Sequence, residues 1–324
     1  MNILVVGYGS IGKRHVDNLL KLKEIDQVTV CSSHLDSFQS HPEKEKLKLV
    51  HSLEELSPVI SNGRQFYFAI IANETYKHIE AANILANSGV HLFIEKPLSH
   101  SVKDAISLKE IVEKENIKIF VAYNFRFLGA LKYIKNQISS GIIGSLYFAE
   151  IEVGQYLPSW RPLSDYRERY SARKEQGGGA ALDLSHEIDY MRYLFGDPVL
   201  WKTMKSKVSD LDINSEDIFK GIYRFSNGFL CSVHTDYLRH NKKRGINIIG
   251  SKGTLECDFI KKYIKIQKNS GEISLIEDVH LFDVDESYRS ELNHFIECIE
   301  KDKTPQITLD DGIEVLKLIE DDHV

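Results

Sequence analysis

Residues 1–12 read Met1-Asn2-Ile3-Leu4-Val5-Val6-Gly7-Tyr8-Gly9-Ser10-Ile11-Gly12, an apolar β-rich run that passes directly into G-x-G-x-x-G and then into the amphipathic stretch Lys13 to Leu22. Few folds accept that order. Gly7 suits the tight turn out of a strand, Gly9 admits a pyrophosphate to the backbone, and Gly12 lets the following helix pack closely on the strand. Ser10 and Ile11 fall at the helix N-terminus, where unpaired N–H groups and the dipole favour an anion. The preceding strand and the following helix are the context this motif requires. The expectation is a dinucleotide site built from Gly7, Gly9, Ser10, Ile11 and Gly12.

The next hundred residues keep the same rhythm. Strands are expected at 2–6, 27–31, 47–50, 66–71, 90–94 and 117–121, with helices at 11–22, 53–57, 75–87 and 101–115 between them. That alternation predicts a parallel, doubly wound sheet in a domain spanning 1–122. Its ligands should gather beyond the carboxyl ends of the strands, at Ser32-Ser33-His34, Ala72-Asn73 and Glu95-Lys96-Pro97. From 123 to 324 the texture changes: after a helix at 128–139, strands are expected at 145–153, 199–207, 217–225, 229–236, 245–249, 254–258, 261–267 and 272–276. Turn signals such as Asn227-Gly228 and Ser270-Gly271 separate several of them, so an open, mostly antiparallel sheet is predicted. Helices at 179–194, 286–301 and 309–320 complete this second, α+β domain, the last two with Asp285 and Thr308 as N-caps. The fold class is α/β.

Composition excludes several functions. A net charge of −6 with scattered basic residues is not the footprint of a nucleic-acid binder. No apolar run spans a bilayer, and the N-terminal strand lacks the basic start and cleavage site of a secretory signal, so a cytoplasmic protein is expected. Cys31, Cys231, Cys257 and Cys298 are far apart, which speaks against a disulfide framework or a zinc site. His186-Glu187-Ile188-Asp189-Tyr190 begins like H-E-x-x-H, but Tyr190 stands where the second ligand is required. The sequon Asn73-Glu74-Thr75 has no route to glycosylation without secretion. No metal is expected.

Three places carry candidate chemistry. Lys96 ends a buried strand and Pro97 biases it to an extended conformation, which aims an ammonium able to exchange a proton or bind a reacting hydroxyl. The segment Gly177-Gly178-Gly179 to Asp189 joins three glycines to a helix that sets Asp183 and His186 one turn apart, a carboxylate–imidazole pair suited to general acid–base work. The long irregular stretch 154–178 collects Tyr156, Trp160, Arg161, Tyr166, Arg167, Arg169 and Arg173. Aromatic faces suit sugar rings and arginines suit phosphate or carboxylate, so Tyr156, Trp160, Arg161 and Arg167 are expected at the substrate together with Asp183 and His186. The same loop could instead be an arm packed on a neighbouring subunit. Cofactor choice rests on Ser32, Ser33 and His34: with no acidic residue at the end of the second strand, NADP is preferred over NAD.

In order along the chain come Gly7-x-Gly9-x-x-Gly12, Asn73 with His78, Glu95-Lys96-Pro97-Leu98, Tyr123-Asn124-Phe125-Arg126-Phe127, the glycine-rich Asp/His helix and Gly250-Ser251-Lys252-Gly253-Thr254-Leu255-Glu256. With these the chain resembles the Gfo/Idh/MocA oxidoreductases over essentially its whole length. The resemblance implies an N-terminal Rossmann domain holding nicotinamide cofactor and a C-terminal sheet whose outer face forms a homodimer or homotetramer. It implies that Lys96 is the catalytic lysine, that His186 accepts or donates the proton, and that Asn124 approaches the nicotinamide, with Ala72, Asn73, His78 and Glu95 also at the cofactor. One departure stands out: relatives commonly place the aspartate four residues before the histidine, and Asp183 is three before His186. The implied activity interconverts a secondary alcohol and a ketone on a sugar, sugar phosphate, sugar acid or nucleotide sugar. Similarity to members associated with bacterial surface-sugar synthesis points the same way. Alternatives on this fold are a glycoside-cleaving enzyme that retains its cofactor and a non-catalytic cofactor sensor.

Overall fold

The computed structural model describes residues 1–33, 41–56 and 65–320. His34, expected at the cofactor, lies outside the described residues. The chain divides into two compact units, Met1–Ala122 with Leu292–Ile313, and Tyr123–Glu291 with the segment from Glu314 on. A single cut after residue 122 therefore omits the return of Leu292–Ile313 to the first unit. Aromatic packing holds that return in place: the Phe295 ring lies 5.4 Å from Phe68 and 5.9 Å from both Phe93 and Phe120.

In the first unit, β1 (Asn2–Val6), β2 (Gln27–Cys31), β3 (Leu47–Val50), β4 (Phe68–Ile71), β5 (His91–Glu95) and β6 (Ile119–Ala122) form a parallel sheet in the order β3-β2-β1-β4-β5-β6. Strands such as Phe68–Ile71 are buried at every position, as befits a sheet covered on both faces. The order reverses between β1 and β4, the switch point where such sheets bind ligands. Its helices are α1 (Ser10–Leu20), α2 (His78–Ala86) and α3 (Val102–Glu115). The helix expected at 53–57 is a single 3-10 turn, Glu54–Leu56, within the described residues.

The second unit carries α4 (Gly129–Ser139), β7 (Leu146–Gly154), α5 (Ala180–Asp183), α6 (His186–Phe195), β8 (Leu200–Ser206), β9 (Ile218–Arg224), β10 (Leu230–Asp236), β11 (Lys243–Gly250), β12 (Gly253–Asp258), β13 (Tyr263–Lys268) and β14 (Ile273–Ile276). Its eight-stranded sheet runs β14-β13-β12-β11-β7-β10-β9-β8, antiparallel throughout except for the β7–β10 pair. Residues alternate in and out along β9 (Ile218–Arg224), with Phe219 and Tyr223 buried and Ile222 exposed. Two further helices, α7 (Val284–Glu300) and α8 (Leu309–Ile319), pass from one unit to the other along the chain.

Two local expectations need correction. The N-cap of α7 is Asp283, whose Oδ1 accepts from the Glu286 amide at 2.9 Å, and not Asp285, which lies inside the first turn. Thr308 does cap α8, in a reciprocal pair with Asp311. The single helix expected at 179–194 is broken at Leu184, whose φ of −105° and ψ of 30° end α5 before α6 begins.

Candidate active site

The first unit presents the glycine turn as the sequence dictates. Gly7 adopts φ +95°, and a Cβ there would lie 2.6 Å from the Ala72 carbonyl oxygen and the Asn73 nitrogen. A Cβ on Gly12 would run into the Gly7 carbonyl, so α1 can approach β1 only with glycine at that position. Gly9 faces open space and forms the N-cap of α1, which has no side-chain cap and no acidic residue in its first turn. Ser10 is exposed and Ile11 half-buried beside it. Ala72 is buried, and the buried Asn73 Oδ1 has no hydrogen-bond partner. An open glycine face, an uncapped helix N-terminus and an unmatched acceptor fit a nicotinamide dinucleotide. At the end of β2 the Ser32 amide donates to the Val50 carbonyl at 3.0 Å, and Ser33 is exposed.

Lys96 follows β5 in a loop fixed from two sides. Glu95 is buried, and its Oε1 lies 2.6 Å from Nε2 of His15 on α1, itself fully buried. The Lys96 amide donates to Glu95 Oε2 at 3.2 Å, and the Lys96–Pro97 peptide is cis. On the other side, His78 Nδ1 lies 3.0 Å from the Pro97 carbonyl and Nε2 lies 3.1 Å from the Asn73 carbonyl. Burial lowers the His78 pKa, and a neutral ring can donate to only one of these carbonyls at a time. The sequence places Glu95 and His78 at the cofactor; the structure gives their polar atoms to His15, Lys96 and two backbone carbonyls, so they shape the Lys96 loop. His15 was missed by sequence reasoning. Its only signal is its position on the buried face of α1.

The second unit opens with Tyr123 and the 3-10 turn Asn124–Phe127, every residue of which is buried. Asn124 Nδ2 donates to Ser287 Oγ at 2.8 Å, which ties this turn to the start of α7. Arg126 grips Asp189 with three hydrogen bonds of 2.7–3.0 Å. Asp189 is thus the partner of Arg126. His186, 7% exposed, has the Phe125 ring at 4.8 Å and the Tyr123 ring at 5.7 Å. Burial, then the Asp189 carboxylate, pushes the Tyr123 phenol pKa up, so it stays protonated.

Asp183 does not share a helix with His186, because the chain breaks at Leu184. Its Oδ2 accepts from Tyr237 Oη at 2.6 Å, and Tyr170 is a second phenol hydrogen-bonded to it. The Asp183 charge holds the Tyr170 pKa well above its usual value, and burial does the same for Tyr237, ahead of Asp183. The expected helical carboxylate–imidazole pair is replaced by a carboxylate that joins α5 to the loop at Tyr170 and to the end of β10 at Tyr237.

The stretch after β7 is packed down over much of its length. Leu157 and Ala172 belong to a buried cluster with Val153, Leu184 and Tyr237, against which Tyr156, Trp160 and Tyr166 lie. Trp160 Nε1 donates to the Gln155 carbonyl at 3.1 Å, and Tyr156 packs on His240 at 4.2 Å. Arg161 is exposed and borders, with Trp160, Tyr166, Arg169 and Tyr170, a cavity of about 50 Å³. Arg167 is not part of that cavity: Nε reaches Asp165 Oδ1 and Oδ2 at 2.9 and 3.0 Å. Among the described residues no cluster of His, Cys, Asp or Glu could hold a metal, and no helix is long and apolar enough to cross a membrane.

Two family profiles match the chain: the oxidoreductase family's NAD-binding Rossmann fold over residues 1–123, and its C-terminal alpha/beta domain over residues 135–321. A myo-inositol 2-dehydrogenase of Thermotoga maritima is 25% identical, with 96% of this chain and 92% of that protein aligned. Levoglucosan dehydrogenase in complex with NADH superposes with a TM-score of 0.84 at 19% identity, covering 98% of this chain and 95% of the other. The WlbA dehydrogenase from Bordetella pertussis, in complex with NADH and UDP-GlcNAcA, gives 0.82 at 19% identity, covering 98% and 94%. With both profiles in sequence order and the Rossmann topology built, the chain belongs to the Gfo/Idh/MocA oxidoreductases.

Proposed function

We propose that this protein is an NAD(P)-dependent dehydrogenase or reductase that interconverts a secondary alcohol and a ketone on a sugar, sugar phosphate, sugar acid or nucleotide sugar. The observation that carries this reading is the fixed Lys96 loop, braced by the His15–Glu95 contact and by His78. A surface lysine ending a strand needs no such bracing. Sugar and polyol names among the relatives, myo-inositol and levoglucosan, support the substrate class. Gly7, Gly9, Ser10, Ile11, Gly12, Ala72 and Asn73 would hold the dinucleotide, and its nicotinamide, when bound, exchanges hydride with the carbon that bears the oxygen.

In the oxidative direction His186 takes the hydroxyl proton while Lys96 hydrogen-bonds the oxygen as charge develops on it. Reduction uses the same groups in the opposite protonation states. Asp183 orients Tyr170 and Tyr237, which keeps the substrate loop in place, and Trp160 and Arg161 line the small cavity in that loop. Ser32 and Ser33 offer hydroxyls to a 2′-phosphate and favour NADP. Opposing them, Glu54 and Glu55 act on the end of β2: with burial as the larger cause, they push the Cys31 thiol pKa up to about 11. The resulting preference is small, about tenfold in Kd or less.

Association through the outer face of the eight-stranded sheet is the reading for Met204, Ile222 and Leu230, which share that face and are 78%, 52% and 39% exposed. Light scattering should return a dimer or tetramer. Four buried free thiols accord with action in the reducing cytoplasm. The direct test of the chemistry is Lys96→Met, expected to cut turnover by orders of magnitude with cofactor Kd within a few-fold. Near-normal turnover in that variant would remove Lys96 from the mechanism.

A further inference from the structure

Glu187 follows His186 directly on α6 and is completely buried. Its carboxylate is gripped by Arg244 from β11 (Lys243–Gly250), Nε to Oε1 at 2.7 Å and Nη2 to Oε2 at 3.1 Å, and Tyr190 Oη donates to Oε1 at 3.1 Å. The Arg244 guanidinium carbon lies 4.5 Å from the centre of the Phe125 ring. Phe125 in turn lies 4.8 Å from the His186 imidazole, with 33° between the planes. Tyr190 stacks on Phe125 at 6.1 Å and Phe259 meets it edge-on at 5.9 Å.

These contacts close a circuit. The chain runs from His186 to Glu187, Glu187 holds Arg244, Arg244 sits over Phe125, and Phe125 packs on His186. A buried Arg–Glu pair contributes little net stability relative to apolar residues of the same volume, since desolvation offsets most of its attraction. What such a pair does supply is direction, because a bidentate fork fixes the plane of the guanidinium. A guanidinium fixed over an aromatic face is held there by the ring quadrupole, which restrains the ring. Tyr190 and Phe259 would still pack against a leucine at 125, but a leucine has no plane to give the imidazole.

We propose that Phe125, clamped by the Arg244–Glu187 pair, is the positioning residue that sets the plane of the His186 imidazole. The proposal rests on the reading of His186 as the proton-transfer group, and it adds how that group is kept in one orientation. Phe125 touches neither substrate nor cofactor in this account; it acts through His186.

The test uses the full-length protein labelled at histidine Cε1, with the His186 signal assigned by its loss in His186→Asn. Phe125→Leu removes the ring, Phe125→Tyr keeps it, and Arg244→Lys keeps both rings and the charge while removing the fork. The relaxation-derived order of the His186 ring should fall in Phe125→Leu and in Arg244→Lys, more than at any other histidine, and stay at the parent value in Phe125→Tyr. With a panel comprising myo-inositol, levoglucosan and UDP-GlcNAcA, kcat should drop about tenfold or more in Phe125→Leu while KM stays within about threefold, and Phe125→Tyr should restore it. His186 order unchanged in both Phe125→Leu and Arg244→Lys would overturn the proposal; Arg244→Lys answers even where Phe125→Leu does not fold. A His186→Asn protein with full turnover would refute the proton-transfer reading alone, because the relaxation data stand without any activity.

Discussion

Replacing Asp189 by alanine tests how much the buried Arg126–Asp189 pair holds the second unit together. In the folded protein its carboxylate is fully buried and accepts from Arg126 at 3.0, 3.0 and 2.7 Å, and the Arg126 side chain is itself only 7% exposed. Removing one partner of such a pair leaves a guanidinium in an apolar setting, a loss of about 3–5 kcal/mol. At roughly 2–4 °C per kcal/mol for a unit of this size, Asp189→Ala should lower Tm by about 6–20 °C. A second arm separates charge burial from packing: Arg126→Met with Asp189→Leu removes both charges and should recover most of the loss. Differential scanning fluorimetry at neutral pH reads both. An Asp189→Ala protein within about 2 °C of the parent would refute the buried-pair reasoning.

Other consequences follow from the same geometry. Gly12→Ala puts a Cβ into the Gly7 carbonyl, so it should weaken cofactor binding by about a hundredfold or more, read by nicotinamide fluorescence titration. Unchanged affinity would mean that α1 can move away from β1 freely. The lowered folded pKa of His78 makes its contribution to stability complete above the ordinary value of 6.5 and progressively lost as pH falls through the folded value. Tm should therefore decline from pH 6.5 downward, and His78→Gln should flatten that slope; an equal slope in the two proteins would contradict it. Tyr237→Phe removes the 2.6 Å bond to Asp183 and should cost about 1.5–3 kcal/mol, measured by urea unfolding.

Much of the fold was legible because its signals are local. The glycine turn, the β-α alternation and the run of short strands each depend on residues close in sequence, and the sheets formed accordingly. What escaped depends on residues far apart. Leu292–Ile313 returns to the first unit because of ring packing around Phe295, which leaves no mark in local periodicity. The helix drawn through Asp183 and His186 is broken between them, with Asp183 bonded to Tyr237 and Tyr170 and Asp189 to Arg126. Helical spacing alone put Asp183 and His186 on one face; it could not see tyrosines from a loop and from the end of a strand. Lys96 and His186 stood out as candidates because local motifs mark them, whereas His15 beside Glu95 and Arg244 on Glu187 carry no such mark and looked like ordinary helix and strand residues.

The most direct measurement is the absorbance of reduced nicotinamide, followed with NAD and NADP separately against sugars, sugar phosphates, sugar acids, nucleotide sugars and their keto forms. Sustained turnover with one of these classes is expected, lost in both Lys96→Met and His186→Asn while cofactor still binds. Silence across the panel from a protein shown to bind cofactor, or turnover that survives both substitutions, would contradict it.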